Sequence, residues 1–96
     1  MKLMFVFVPT DCLEACHDFF DEADVHAYTE IPNVLGSGEA GRKLGTRAYP
    51  GTSTLVLLAL PKLRAEEFLR KMEGFCSKEK RRSETRVFAV DADRVF

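Results

Sequence analysis

Two stretches of the chain are apolar almost without interruption. Residues 3–8 read Leu-Met-Phe-Val-Phe-Val, and residues 54–60 read Thr-Leu-Val-Leu-Leu-Ala-Leu. A proline closes each one, Pro9 and Pro61. Short apolar runs bounded in this way predict buried strands. After the first run, apolar residues recur at 12, 16, 19, 20 and 23; after the second, Ala65, Phe68, Leu69, Met72 and Cys76 repeat at the same interval. This is helical spacing, and it predicts helices over about residues 11–23 and about residues 62–75 or a little beyond. Asp11-Cys12-Leu13-Glu14 has the form of a capping box, in which Asp11 accepts from the amide of residue 14 and Glu14 reaches back. Tyr28, Thr29, Ile31 and Val34 favour a second extended segment over residues 25–35, with Pro32 marking an edge or a bulge. Residues 86–90 make a last short strand.

The resulting order is βαββαβ. Each helix joins two strands, which is the α+β, ferredoxin-like arrangement: a four-stranded antiparallel sheet, two helices on one face, and a long loop between the second and third strands. Right-handed crossovers put the first and third strands in the middle of the sheet. Ninety-six residues suit one domain, residues 1–96. A chain of this size buries only ~65% of its unfolded surface, so help from a partner is expected.

Two helices cover only one face of such a sheet, and an uncovered face should alternate polar with apolar residues. The central strands do not alternate. Leu3, Phe5 and Phe7 share one face of the first and Met4, Val6 and Val8 the other; Leu55, Leu57 and Ala59 oppose Val56, Leu58 and Leu60 in the third. Covering four such side chains is worth roughly 6–12 kcal/mol, comparable to the whole stability of a small domain. A homo-oligomer packed through the second face is therefore expected, closed rather than open-ended.

Between the second and third strands lies "VLGSGEAGRKLGTRAYPG", holding Gly36, Gly38, Gly41, Gly45 and Gly51 and leaving Gly74 as the one other glycine. Residues 36–41 fit the letters G-x-G-x-x-G. A dinucleotide-binding turn needs a helix starting inside the motif. Here Gly45, Pro50 and Gly51 break any helix, and no G-K-[ST] follows for a phosphate loop of the Walker type. A sixteen-residue loop without secondary structure is expected, and such loops are usually functional or disordered. Arg42, Lys43 and Arg47 face a single acid, Glu39. Three cations and glycine-freed amides suit an anion such as phosphate. The same residues would also suit a flexible tip with solvated charges. The candidate ligand-binding residues are Gly36, Gly38, Gly41, Arg42, Lys43, Gly45 and Arg47.

Charge and composition narrow the classes further. The formal net charge is −1, with 46% apolar and 30% charged residues. This is an ordinary soluble balance with no electrostatic footprint for nucleic acid. Three cysteines, Cys12, Cys16 and Cys76, do not suggest a disulfide framework and point to a reducing, cytoplasmic setting. The opening apolar run is too short for a signal peptide or a membrane span. Cys12, Cys16 and His17 invite a metal reading, with His26 or Cys76 as further ligands. On a helix, though, residue 17 points about 100° away from residue 16, so the three do not converge. Cys16 falls on the core stripe instead. Asp18, Asp21, Glu22 and Asp24 fall on the wet side of the first helix, and the eight phenylalanines read as core. No nucleophile–base pair stands out, so no enzyme is expected. Residues 77–86 carry Lys78, Lys80, Arg81 and Arg82, which suit a solvated face and are also point charges for phosphate.

The topology, the apolar second face and the basic glycine-rich loop together resemble the PII signalling superfamily. Gly41-Arg42, Gly45 and Tyr49-Pro50-Gly51 are similar to the G-R-x-x-G…Y-x-G run of the PII T-loop, with the tyrosine one residue early. Residues 28–38 with Gly45-Thr46 and Tyr49-Pro50-Gly51 look closer still to a divergent branch of PII-like proteins. The family's second glycine-rich loop, a G-x-x-G-D-G-K run, is replaced by residues 77–86, and no glycine follows Gly74. The resemblance implies a homotrimeric, non-enzymatic regulator of the GlnB-like and CutA-like superfamily. Such a protein binds an adenine nucleotide (ATP, ADP or AMP) or another small anion between subunits, and signals through the loop to a partner such as a membrane transporter. A rival implication is a metal-responsive, CutA-like trimer using Cys12, Cys16, His17 or His26.

Overall fold

A computed structural model describes residues 1–38, 41–43 and 52–96. Along the chain come β1 (Lys2–Pro9), a 3-10 turn (Thr10–Cys12), α1 (Leu13–Glu22), β2 (Thr29–Val34), β3 (Gly36–Gly38), β4 (Gly41–Lys43), β5 (Ser53–Leu60), α2 (Lys62–Ser77), a second 3-10 turn (Arg81–Glu84) and β6 (Arg86–Asp91). Four strands form an antiparallel sheet in the order β2-β5-β1-β6. The two uninterrupted apolar runs are the central strands, as the connection rules require.

The pleat sorts the central side chains. Met4, Val6 and Val8 of β1 and Val56, Leu58 and Leu60 of β5 are buried under the helices. They meet Cys16 and Phe20 of α1 and Ala65, Phe68, Met72 and Phe75 of α2. The rings interlock at offset angles, Phe19 with Phe75 at 5.1 Å and Phe20 with Phe68 at 5.8 Å between centroids, in the tilted geometry that aromatic quadrupoles prefer.

Among the described residues, no helix lies on the opposite face. Register places Phe5 beside Leu57 and Phe88, Leu3 beside Ala59 and Val90, and Phe7 beside Leu55 and Arg86. Ile31 of β2 adjoins Leu55. The face is thus mostly apolar, with Thr29 and Arg86 as its polar members, and its margins are open: Phe88 is 59% exposed, Val90 46% and Ile31 45%. This corrects the expectation that every phenylalanine is a core residue. Phe5, Phe7 and Phe88 belong to the second face, and Phe96 is fully exposed.

Element boundaries depart from expectation at two places. The capping box is not what starts α1: the helix opens through the 3-10 turn, and its N-cap is Cys12, without a side-chain cap. The second strand begins at Thr29 rather than 25, because α1 ends in a Schellman closure. Asp24 takes φ 56°, Val25 donates to the Phe20 carbonyl at 2.8 Å, and Asp24 donates to that of Asp21 at 3.1 Å. Val25 and Phe20 are both buried, the hydrophobic contact that accompanies this motif. Arg64 of α2 donates to the Asp24 carbonyl at 3.0 Å and ties the closure to the second helix. Pro32 lies on an edge strand within a register shift between Ile31 and Val34, and Asn33 takes φ 57°. Both features are as its place in the sequence predicts.

Candidate functional site

One end of the sheet gathers most of the chemistry. Pro9 closes β1 opposite Ser53, where β5 begins; Val34 closes β2 opposite the same Ser53; and Arg86 opens β6 opposite Phe7. The glycine-rich segment therefore leaves and re-enters the sheet next to the end of β1 and the start of β6.

Three threonines stitch this end together. The Thr10 amide donates to the Thr52 carbonyl at 3.1 Å. Thr10 Oγ1 lies 2.8 Å from Thr52 Oγ1 and 3.4 Å from Thr54 Oγ1. Thr54 is fully buried, so its hydroxyl needs a partner inside the protein. Sequence reasoning missed this cluster. Its signal was the Thr-Ser-Thr run after Gly51 and the threonine directly after Pro9, hydroxyls placed where two central strands end.

Between β2 and β5 the expected structureless loop is in part a ribbon. β3 pairs with β4 in the register Gly36↔Lys43, Ser37↔Arg42 and Gly38↔Gly41. The correction has a plain cause: glycines and a serine leave the backbone groups of this segment uncrowded, so they satisfy each other. A Cβ at Gly36 would meet nothing within 4 Å, so that glycine answers to no steric demand. Of the candidate binding residues, the ribbon brings Gly36, Gly38, Gly41, Arg42 and Lys43 together by backbone pairing. Gly45 and Arg47, the side chains of Arg42 and Lys43, and residues 49–51 of the T-loop-like run lie outside the described residues.

Residues 77–86 are not simply a solvated face. Arg82 lies 4.5 Å above the Phe75 ring centroid and 3.8 Å from Glu79, a stacked and paired guanidinium. Arg86 Nη1 donates to the carbonyls of Ser83 at 2.7 Å and Thr85 at 3.1 Å. It thereby closes the 3-10 turn at the end of the sheet where the glycine-rich segment departs. Lys78 and Lys80 are exposed. Among the described residues, the buried Thr85 hydroxyl makes no ordinary hydrogen bond. It faces the Cys76 sulfur and, with Arg86 and Arg82, favours the thiolate, but burial outweighs all three and pushes the Cys76 thiol up.

The cysteines and histidines do not assemble. Cys12 and Cys16 are buried in the core, and burial first, then Cys76, pushes the Cys16 thiol up to about 12. A thiol held neutral in this way is neither a nucleophile nor a ready metal ligand. His17 pairs through Nε2 with Glu30 Oε1 and stacks on Tyr28 at 6.0 Å, linking α1 to the edge strand. Sequence reasoning missed that pair. His26 turns to Asp24 at 2.9 Å and Asp21 at 3.5 Å. Among the described residues no group of three or more His, Cys, Asp or Glu is placed to hold a metal ion, and no helix is long and apolar enough to cross a membrane.

The same architecture recurs in solved structures of CPII, a nitrogen regulatory PII-like protein from Thiomonas intermedia K12. Against CPII bound to ADP, AMP and bicarbonate, the TM-score is 0.70 at 20% identity, covering 92% of this chain and 86% of that one. Against CPII bound to ADP and bicarbonate it is 0.72 at 21%, covering 93% and 82%. Against its apo form it is 0.66 at 19%, covering 93% and 85%. No protein-family model matches the chain, and no curated protein matches it. The chain has the PII-like fold.

Proposed function

We propose that this chain is a PII-like regulator that binds a small anionic ligand at the loop end of the sheet and signals through the glycine-rich segment. One observation carries the reading. The glycine-rich segment leaves and re-enters the sheet at the end that carries the threonine cluster and the turn closed by Arg86, in a fold whose structural neighbour CPII is seen with ADP, AMP and bicarbonate. Hydroxyls, backbone amides and guanidinium groups can all donate hydrogen bonds, which suits phosphate or carboxylate oxygens.

In this reading residues 1–96 act as one domain within a homotrimer, whose subunits cover each other's second sheet face. The ligand, an adenine nucleotide such as ADP or AMP, sits between subunits. Gly36, Gly38, Gly41 and Gly45 supply close backbone approach, and Arg42, Lys43 and Arg47 supply charge. Binding shifts the population of loop conformations, and a partner protein in the cytoplasm or a membrane transporter reads the result. The protein carries out no covalent chemistry.

Calorimetric titration with ATP, ADP, AMP and bicarbonate tests the reading. Saturable binding of at least one of them is expected. Arg42→Ala with Arg47→Ala is expected to weaken it about ten-fold or more while leaving the sedimentation coefficient unchanged. Absence of binding for all four, or unchanged affinity in the double variant, would refute the assignment.

A further inference from the structure

On the outer side of the helix layer, α1 and α2 enclose an open groove of about 510 Å³ that the loop end of the sheet does not use. Its floor is the half-buried Phe19, with Phe75 buried beside it under Arg82, and small residues, Ala15, Ala23 and Gly74, flank it. Its walls differ in sign. Asp18 and Glu22 stand on the α1 side; Lys71, Lys78 and Arg82 stand on the other. Asp18 and Glu22 are one helical turn apart, so they point the same way along the groove. Among the described residues, Asp18, Glu22 and Lys78 make no ion pair. Lys71 is held by Glu67 at 3.1 Å and Arg82 by Phe75 and Glu79. A Cβ on Gly74 would meet nothing within 4 Å, so the groove is open above the middle of the basic wall.

We infer that this groove receives a helix from a partner protein, one with a narrow apolar ridge, basic residues on one flank and acidic residues on the other. Charge complementarity chooses this occupant. A flat anion or cation would satisfy one wall and be repelled by its opposite, whereas a helix lying along the groove presents a different flank to each wall. The floor favours the same answer. Solvent-exposed charge pairs contribute little alone, so binding needs apolar area, and a helix ridge laid on the half-buried Phe19 between Ala15 and Ala23 provides it. Gly74 lets that ridge approach closely. Arg82 joins the basic wall to the 3-10 turn at the loop end, so the docked helix would touch the turn that Arg86 closes. The inference stands apart from the anion site, and it holds whether or not a nucleotide binds there.

Synthetic helical peptides of about 18 residues, built on one alanine–leucine ridge, test this against the isotope-labelled full chain by nuclear magnetic resonance at low salt. The first carries lysine on one flank and glutamate on the other; the controls carry lysine on both or glutamate on both. The two-sign peptide is expected to shift amides in residues 15–23 and 71–82 and to bind about five-fold or more tighter than either control. In the variant Asp18→Lys with Glu22→Lys, both exposed positions, the preference should move to the peptide with glutamate on both flanks. Shifts confined to the second sheet face, equal affinity for all three peptides, no shifts at all, or no change of preference in the variant would each overturn the proposal.

Discussion

The two faces of one sheet make an instructive pair. Both are apolar, and neighbouring residues of the same strands alternate between them, yet one is closed and the other open. Beneath the helices, Met4, Val6, Val56 and Phe20 are sealed. On the reverse, Phe5, Leu57 and Phe88 share a row with Phe88 largely exposed. The chemistry of the side chains does not distinguish the faces; what differs is whether the same chain supplies a cover. A face that the described residues leave open, but that is nearly as apolar as the core, is the one the proposed trimer would close.

The largest test of that contrast is a charge at the centre of the open face. Leu57→Arg is expected to abolish the proposed trimer, giving a single-chain species in sedimentation with helical circular dichroism retained. An unpaired charge in a covered face costs about 3–5 kcal/mol, and identical interfaces repeat that cost. A trimer that survived this change would break the comparison. On the closed face, Phe20→Ala is expected to cost about 3–5 kcal/mol in urea unfolding through the cavity it leaves, at any protein concentration. The equivalent truncation Phe5→Ala should instead show a loss that depends on concentration.

A smaller effect comes from the thiol on the closed side. The Cys16 pKa is raised from 9.0 to about 12, so the unfolded chain ionises this thiol while the folded chain keeps it neutral. Its contribution is fully present below pH 9 and is lost as pH rises from there towards 12. Wild type should lose stability faster than Cys16→Ala across that window, by at most ~1.4 kcal/mol per pH unit. Equal slopes would show that the site is wetter than its packing indicates. Smallest of all, Gly36→Ala should change stability by less than about 0.5 kcal/mol, since its Cβ would enter open space.

The architecture was legible because hydrophobic period is local information. Uninterrupted runs marked β1 and β5, a 3.6-residue repeat marked both helices, and Pro32 marked the irregular edge. The candidate site was legible only in outline. Glycines and cations announced a loop, but the pairing of Gly36–Gly38 with Gly41–Lys43 depends on backbone groups that no side-chain pattern records. The threonine cluster joins positions 10, 52 and 54, and His17 meets Glu30 across a helix–strand gap. Arg82 looked like one cation in a solvated run until Phe75 was found beneath it.

By itself the sequence determined the order of the four main-sheet strands and two helices, the identity of the central strands and the apolar character of both their faces. Each of these follows from which residues avoid water and at what spacing. Tertiary structure alone decided which polar groups meet: the hydroxyls at the sheet end, the guanidinium over the ring, and the acidic and basic walls of the groove between α1 and α2. Burial is a property each residue carries into the fold. A hydrogen bond or a charge pair between distant positions exists only once the chain has brought both partners to the same place.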